Sequence, residues 1–227
     1  THLVSWKADQ SGPSPGLAVS NFPSISADGR YVAFDSTSGD LVDGLSVIQD
    51  GAGNNYWNVY LWNRDPDGNG IFDEAGEYFS GGPWKPKRGE MSIVSRDSAD
   101  PNISGNESSK VPSISGDGRF VAFSSAADNL VPGYTSGNGG GGDIFLFDRE
   151  SGEISLLSGE GSSPTQGGNA YNQDPAISAN GEQVAYTSYT ADATNNIAGA
   201  EVDPMNRQIH IFDRNVGWNV WIKNVSY

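Results

Sequence analysis

Apolar residues in this chain come in short runs rich in Val, Ile, Phe, Tyr and Trp, broken by Gly, Ser, Asn, Asp and Pro. No window sustains a helical period, so the pattern predicts an all-β chain with many turns. One run organises the rest. The segment 23–34 reads PSISADGRYVAF, 112–123 reads PSISGDGRFVAF and 175–186 reads PAISANGEQVAY. Each is a strand, a tight Asp-Gly or Asn-Gly turn and a second strand, a strong hairpin signal. A third apolar strand follows each hairpin at 58–64, 143–149 and 208–214, ending in Asn63-Arg64, Asp148-Arg149 and Asp213-Arg214.

Three copies of one sentence mean a repeat protein. The first unit has strands at 23–26, 31–35 and 58–64, an acidic loop, a strand near 77–80, a Pro/Lys-rich excursion and a strand at 91–95. The second has strands at 112–115, 119–124, 143–149 and 153–158. The third has strands at 175–178, 182–187, 208–214 and 219–226. Four antiparallel strands with nothing else to cover the sheet must bury their faces against neighbouring sheets. Radial stacking of such sheets gives a β-propeller. The blades span about 21–95, 111–158 and 174–227. Residues 2–6 read as the outer strand of a preceding blade. On that ground the chain is expected to be a piece of a longer propeller; two three-blade arcs closing a ring is the alternative. The start at Thr1 reads as a processed or trimmed end.

Net charge is −15, from 13 basic and 28 acidic side chains. That excludes nucleic acid as a partner, because phosphates would be repelled. The absence of cysteine excludes disulfides, thiolate zinc and thiol catalysis. No apolar run reaches the roughly 20 residues of a membrane helix.

The repeated hairpin, with its third strand ending in Asp-Arg, resembles the WD40-like (PD40) repeats of TolB-type propellers. The resemblance covers most of 20–227 and is specific for the repeat, not for an activity. It implies a propeller of six to eight blades in a periplasmic, cell-surface or extracellular protein. The third copy departs from the pattern, with Asn180 for Asp and Glu182 for Arg. That puts a role for the Asp/Arg pair in doubt there.

The acidic loop DPDGNGIFD at 65–73 carries the candidate chemistry. Side-chain oxygens stand at Asp65, Asp67, Asn69 and Asp73, a backbone carbonyl is available at Ile71, and Gly70 permits a sharp turn. Alternate hard oxygens with three carboxylates suit Ca2+. The position where an EF-hand needs an acid is Gly76, and strands flank the loop. It resembles instead the calcium loops of integrin-type propellers, and the expected role is structural. A solvated acidic turn is the alternative.

No nucleophile elbow is present, and the two histidines, His2 and His210, form no triad pattern. The chain is therefore read as a non-enzymatic binding or structural module. The propeller portion of a secreted hydrolase, peptidase or glycan-active, is the alternative. Long polar loops at 35–57, 124–143 and 187–207, with the connections 96–110 and 159–174, fall on one face. They place Tyr56, Trp57, Tyr134, Tyr171 and Tyr189 where a protein or carbohydrate partner would meet them.

Overall fold

Alternation within the second strand of each repeat sets the architecture. In β2 (Tyr31–Ser36), Tyr31 and Ala33 point to one side and Val32 and Phe34 to the other, and both sides are apolar. A strand apolar on both sides belongs to a sheet covered on both sides. The computed structural model describes residues 4–5, 18–73, 89–137, 139–159, 163–168, 170–189, 208–215 and 218–221. In it, β1 (Ser20–Ile25), β2, β3 (Asn58–Asn63) and β4 (Glu90–Ile93) form one antiparallel sheet in that order. The second sheet is β5 (Ser109–Ile114), β6 (Phe120–Ser125), β7 (Asp143–Asp148) and β8 (Ile154–Leu156). The third is β9 (Tyr171–Ile177), β10 (Gln183–Tyr189), β11 (Gln208–Asp213) and β12 (Trp218–Trp221). These are three propeller blades in series, and they do not close a ring.

The cores lie between blades. Tyr31, Ala33, Val59 and Leu61 of blade 1 pack on Ile114, Val121, Phe123, Phe145 and Phe147 of blade 2. The other side of blade 2, with Phe120, Ala122, Ile144 and Leu146, packs on Val184 and Tyr186 of blade 3. Phe123 and Phe145 are fully buried, which contributes about 1.5–3 kcal/mol each.

The inner strands start earlier than the sequence pattern predicts, at Ser20, Ser109 and Tyr171. The reason is a bulge repeated in all three. Phe22, Val111 and Asp174, each followed by proline, have φ of 49°, 54° and 53°. The pairing register shifts there in every blade. Proline cannot donate to the ladder, and the bulge takes it out of step. A β-branched residue such as Val111 in this region is strained; its N–H is fixed by Asp35 Oδ2 at 2.8 Å.

The expected strand near 77–80 and the stretch 222–226 lie outside the described residues. Of the expected strand 2–6, only Val4 and Ser5 are described; they form a bend, with Val4 packed on the Phe34–Tyr60 cluster of blade 1. No helix among the described residues is long and apolar enough to cross a membrane.

Candidate binding face and acidic loop

The acidic loop leaves β3 and folds back on itself. Asn63 Oδ1 accepts the Asp65 N–H at 3.1 Å, and Asp73 N–H returns to the Arg64 carbonyl at 2.9 Å. Asp65 is only 3 % exposed. Its two carboxylate oxygens accept the N–H groups of Asn69 and Gly70, each at 3.0 Å. Asp67 accepts from the Asn69 backbone and side chain, and Asn69 Oδ1 accepts the Ile71 N–H at 2.8 Å. Three of the expected donors, Asp65, Asp67 and Asn69, thus curl over one turn, and their chemistry fits a hard cation. Asp73 does not join them. Its carboxylate is clamped by Arg64 Nη2 at 2.6 Å and Nε at 2.9 Å. The Ile71 side chain is exposed. Among the described residues, no three acidic or histidine side chains converge as a metal cradle.

Of the loop 187–207 only 187–189 lie within the described residues; the other two long loops are tied to the connections that follow them. Ser46 of the β2–β3 loop bridges Ile103 of the connection to blade 2, and Thr135 of the β6–β7 loop bridges Gln166 of the connection to blade 3. The two bridges occupy equivalent places in their repeats. Leu41 and Leu130, each followed by valine, also sit at equivalent places and are buried. This repeated Leu-Val pair was the available sequence signal that the first half of these two loops belongs to the core.

That order explains Tyr134, which the sequence placed on the ligand face. It is buried, at 6 % exposure, edge-on to Phe145, and its hydroxyl donates to Asp143 Oδ2 at 2.6 Å. It fills the place of Leu45, which packs on the core of blade 1. Asp143 is fully buried and also accepts from Ser158 at 2.6 Å and Asn172 at 3.1 Å. Burial raises its carboxyl pKa, opposed by the Ser158, Tyr134 and Asn172 donors. This is a sealed polar network inside the scaffold.

The other four rings do reach this face. Tyr56 is half-buried and donates to Glu107 Oε1 at 3.2 Å. Trp57 is half-buried, with Lys110 Nζ 5.2 Å from its ring centre. Tyr171 is 48 % exposed and lies 5.8 Å from Tyr189, its cross-strand partner at the ends of β9 and β10. Gln173 Nε2 donates to the Tyr189 hydroxyl at 3.1 Å. None of these rings recurs. Blade 2 carries Gly141 and Gly142 where blade 1 has Tyr56 and Trp57, and Ser108 and Ala126 where blade 3 has Tyr171 and Tyr189.

The geometry resembles known propellers. The chain is similar to the tricorn protease, at 12 % identity and a TM-score of 0.46, over 89 % of this chain and 14 % of that one. It is similar to TolB from Acinetobacter baumannii, at 15 % identity and a TM-score of 0.35, over 88 % of this chain and 42 % of that one. It is also similar to the β-propeller domain of the Trilobed protease from Pyrococcus furiosus, at 11 % identity and a TM-score of 0.44, over 90 % and 42 %. The likeness is one of blade fold. The chain spans less than half the length of each of these proteins. No family model and no curated protein matches it.

His210, the one described histidine, is buried in β11 against Tyr186, with ring centres 5.4 Å apart. Burial lowers its pKa. No hydrogen-bond partner for its Nε2 occurs among the described residues. It occupies the seat that Tyr60 holds against Phe34 and Phe145 against Phe123, so it is a packing residue. Outside these sites, a cavity of about 670 Å³ opens on the rim of blade 2, lined by Arg96, Asp97, Asp148, Glu153 and Arg214 among others.

Proposed function

We propose that this chain is a non-enzymatic, extracytoplasmic binding or structural module, and that it meets a protein or carbohydrate partner through its long-loop face. The observation that carries this reading is the set of exposed or half-exposed rings at Tyr56, Trp57, Tyr171 and Tyr189, at positions where the sister blades hold no ring. Aromatic side chains that the scaffold does not require offer rigid area for stacking or anchoring. The TolB-like form of the blades supports a place outside the cytoplasm. The acidic loop is proposed to take Ca2+ through Asp65, Asp67 and Asn69. The ion would supply charge that rigidifies the loop and no chemical step.

Two experiments test the reading. On a glycan array, and in capture of extracellular proteins, one ligand class should bind. The Trp57→Ala and Tyr171→Ala variants should each weaken it about 10-fold, the equivalent of a 1.4 kcal/mol contact. Binding indifferent to both variants, or no binding of either class, would overturn it. For the ion, added Ca2+ should raise the melting temperature and chelation should reverse the rise. Identical melting curves with and without Ca2+ would leave the loop a self-closed turn.

A further inference from the structure

Each blade junction is fastened by the same three-part contact. The turn glycine of the following blade, Gly118 or Gly181, lies on an aromatic ring of the preceding blade, Tyr31 or Phe120, so closely that a Cβ there would overlap the ring. The arginine ending the third strand of the following blade stacks on that same ring. Arg149 lies 4.4 Å from the Tyr31 centroid and Arg214 lies 3.8 Å from that of Phe120. The same arginine donates to its own turn carbonyl, Arg149 to Gly118 and Arg214 to Gly181, both at 3.0 Å.

The leading edge of blade 1 shows the same seat with a different occupant. Arg64 Nη1 donates to the Gly29 carbonyl at 2.8 Å. The ring under its guanidinium is Phe72, at 4.9 Å, and the Phe72 ring lies beside Gly29 as well. Phe72 comes from the acidic loop of blade 1 itself, and its neighbour Asp73 clamps Arg64 from outside. At the far end, the residue of blade 3 equivalent to Tyr31 and Phe120 is Gln183, which bonds Asp213 at 3.1 Å. It offers no ring to a following blade.

We infer that the loop 65–73 masks a blade-docking seat: Phe72 takes the place that a preceding blade's aromatic ring takes at the other junctions. The partner this seat fits is the trailing edge of a blade carrying Tyr or Phe at the Tyr31 position. The chain's own trailing edge, ending in Gln183, does not fit it. Ile25, on the leading edge of blade 1, is 57 % exposed, whereas its counterpart Ile114 in blade 2 is 7 % exposed against blade 1. The seat is filled while the strip beside it stays open. The inference uses Phe72 and Asp73 and is independent of Ca2+ binding.

Sedimentation velocity on four forms of the whole chain tests it: wild type, Phe72→Ala, Gln183→Phe and the double variant. Only the double variant both opens the seat and supplies a ring, so only it should associate as concentration rises. Association of Gln183→Phe alone to the same extent would show that Phe72 masks nothing, and a double variant sedimenting like wild type would overturn the inference. A check that does not depend on association is the melting temperature of the loop variants. Phe72→Tyr should keep the wild-type value and Phe72→Ala should lower it by about 2–4 °C. Equal values for the two would overturn the assignment.

Discussion

At the residue scale, equivalent positions tell packing from chemistry. Phe34–Tyr60, Phe123–Phe145 and Tyr186–His210 are one ring pair repeated. His210→Phe should therefore stabilise the protein. The sign with pH follows from burial. The folded-state pKa of His210 lies below its ordinary 6.5, so the unfolded chain takes the proton first as pH falls. Wild-type stability is lost from 6.5 downward to the lowered value, and the phenylalanine variant has no such loss. The melting-temperature gap between the two should widen as pH is lowered from about 8 to about 5. A gap independent of pH would place the histidine in water. The placement of His210 in an alternating third strand was legible, but not which side of that strand it takes. That of Tyr134 was not, because its burial depends on a loop folding back over a buried aspartate.

At the element scale, the hairpin turn is a fixed device. Ser26 donates to Asp28 at 2.6 Å and accepts the Tyr31 N–H at 2.9 Å, while Asp28 also accepts the Arg30 N–H at 2.9 Å. The Ser26 bond is the first cause of the lowered Asp28 pKa. Asn180 does the same work in blade 3, accepting from Ser178 at 2.6 Å and from the Glu182 N–H at 3.2 Å. The doubt the sequence raised about this copy thus separates into two parts. The turn needs an oxygen, not a charge. What blade 3 lacks is the Arg119–Asp148 pair of blade 2, 2.7 Å long, because Glu182 replaces the arginine. The turn glycine bears a second load at the junctions. Gly118→Ala meets positive φ and the Tyr31 ring, whereas Gly133→Ala meets positive φ and open space. Chemical denaturation should show a loss of about 2–4 kcal/mol for the first and about 1–2 kcal/mol for the second. Equal losses would mean that the blades are not seated ring on glycine. The Asp-Gly signal made these hairpins readable. The bulge before each proline was not, since proline looked like a strand start.

At the scale of the whole molecule, stacking followed from repetition, and the sheets stack as that argument requires. Ala27 N–H reaches the Gly116 carbonyl at 2.9 Å and Gly116 N–H reaches that of Ala179 at 2.8 Å, so consecutive turns are linked along the arc. The ends of the series were not legible, because an edge is defined by what faces it, and Phe72 faces Gly29 only after the acidic loop folds back. Which of the loop's oxygens lie near one another was likewise invisible: spacing put Asp73 in the set, but Arg64 holds it. Residues repeated between blades build the scaffold, and the unrepeated rings on the long-loop face are proposed to serve a partner. One melting-temperature comparison tests this division most directly. Gly118→Ala and Arg149→Ala should each lower the melting temperature by several degrees, at about 2–4 °C per kcal/mol for a chain of this size. Tyr56→Ala and Tyr171→Ala should leave it near the wild-type value; a drop as large as that of the turn and arginine variants would make those rings part of the scaffold and rule out the division between repeated and unrepeated residues.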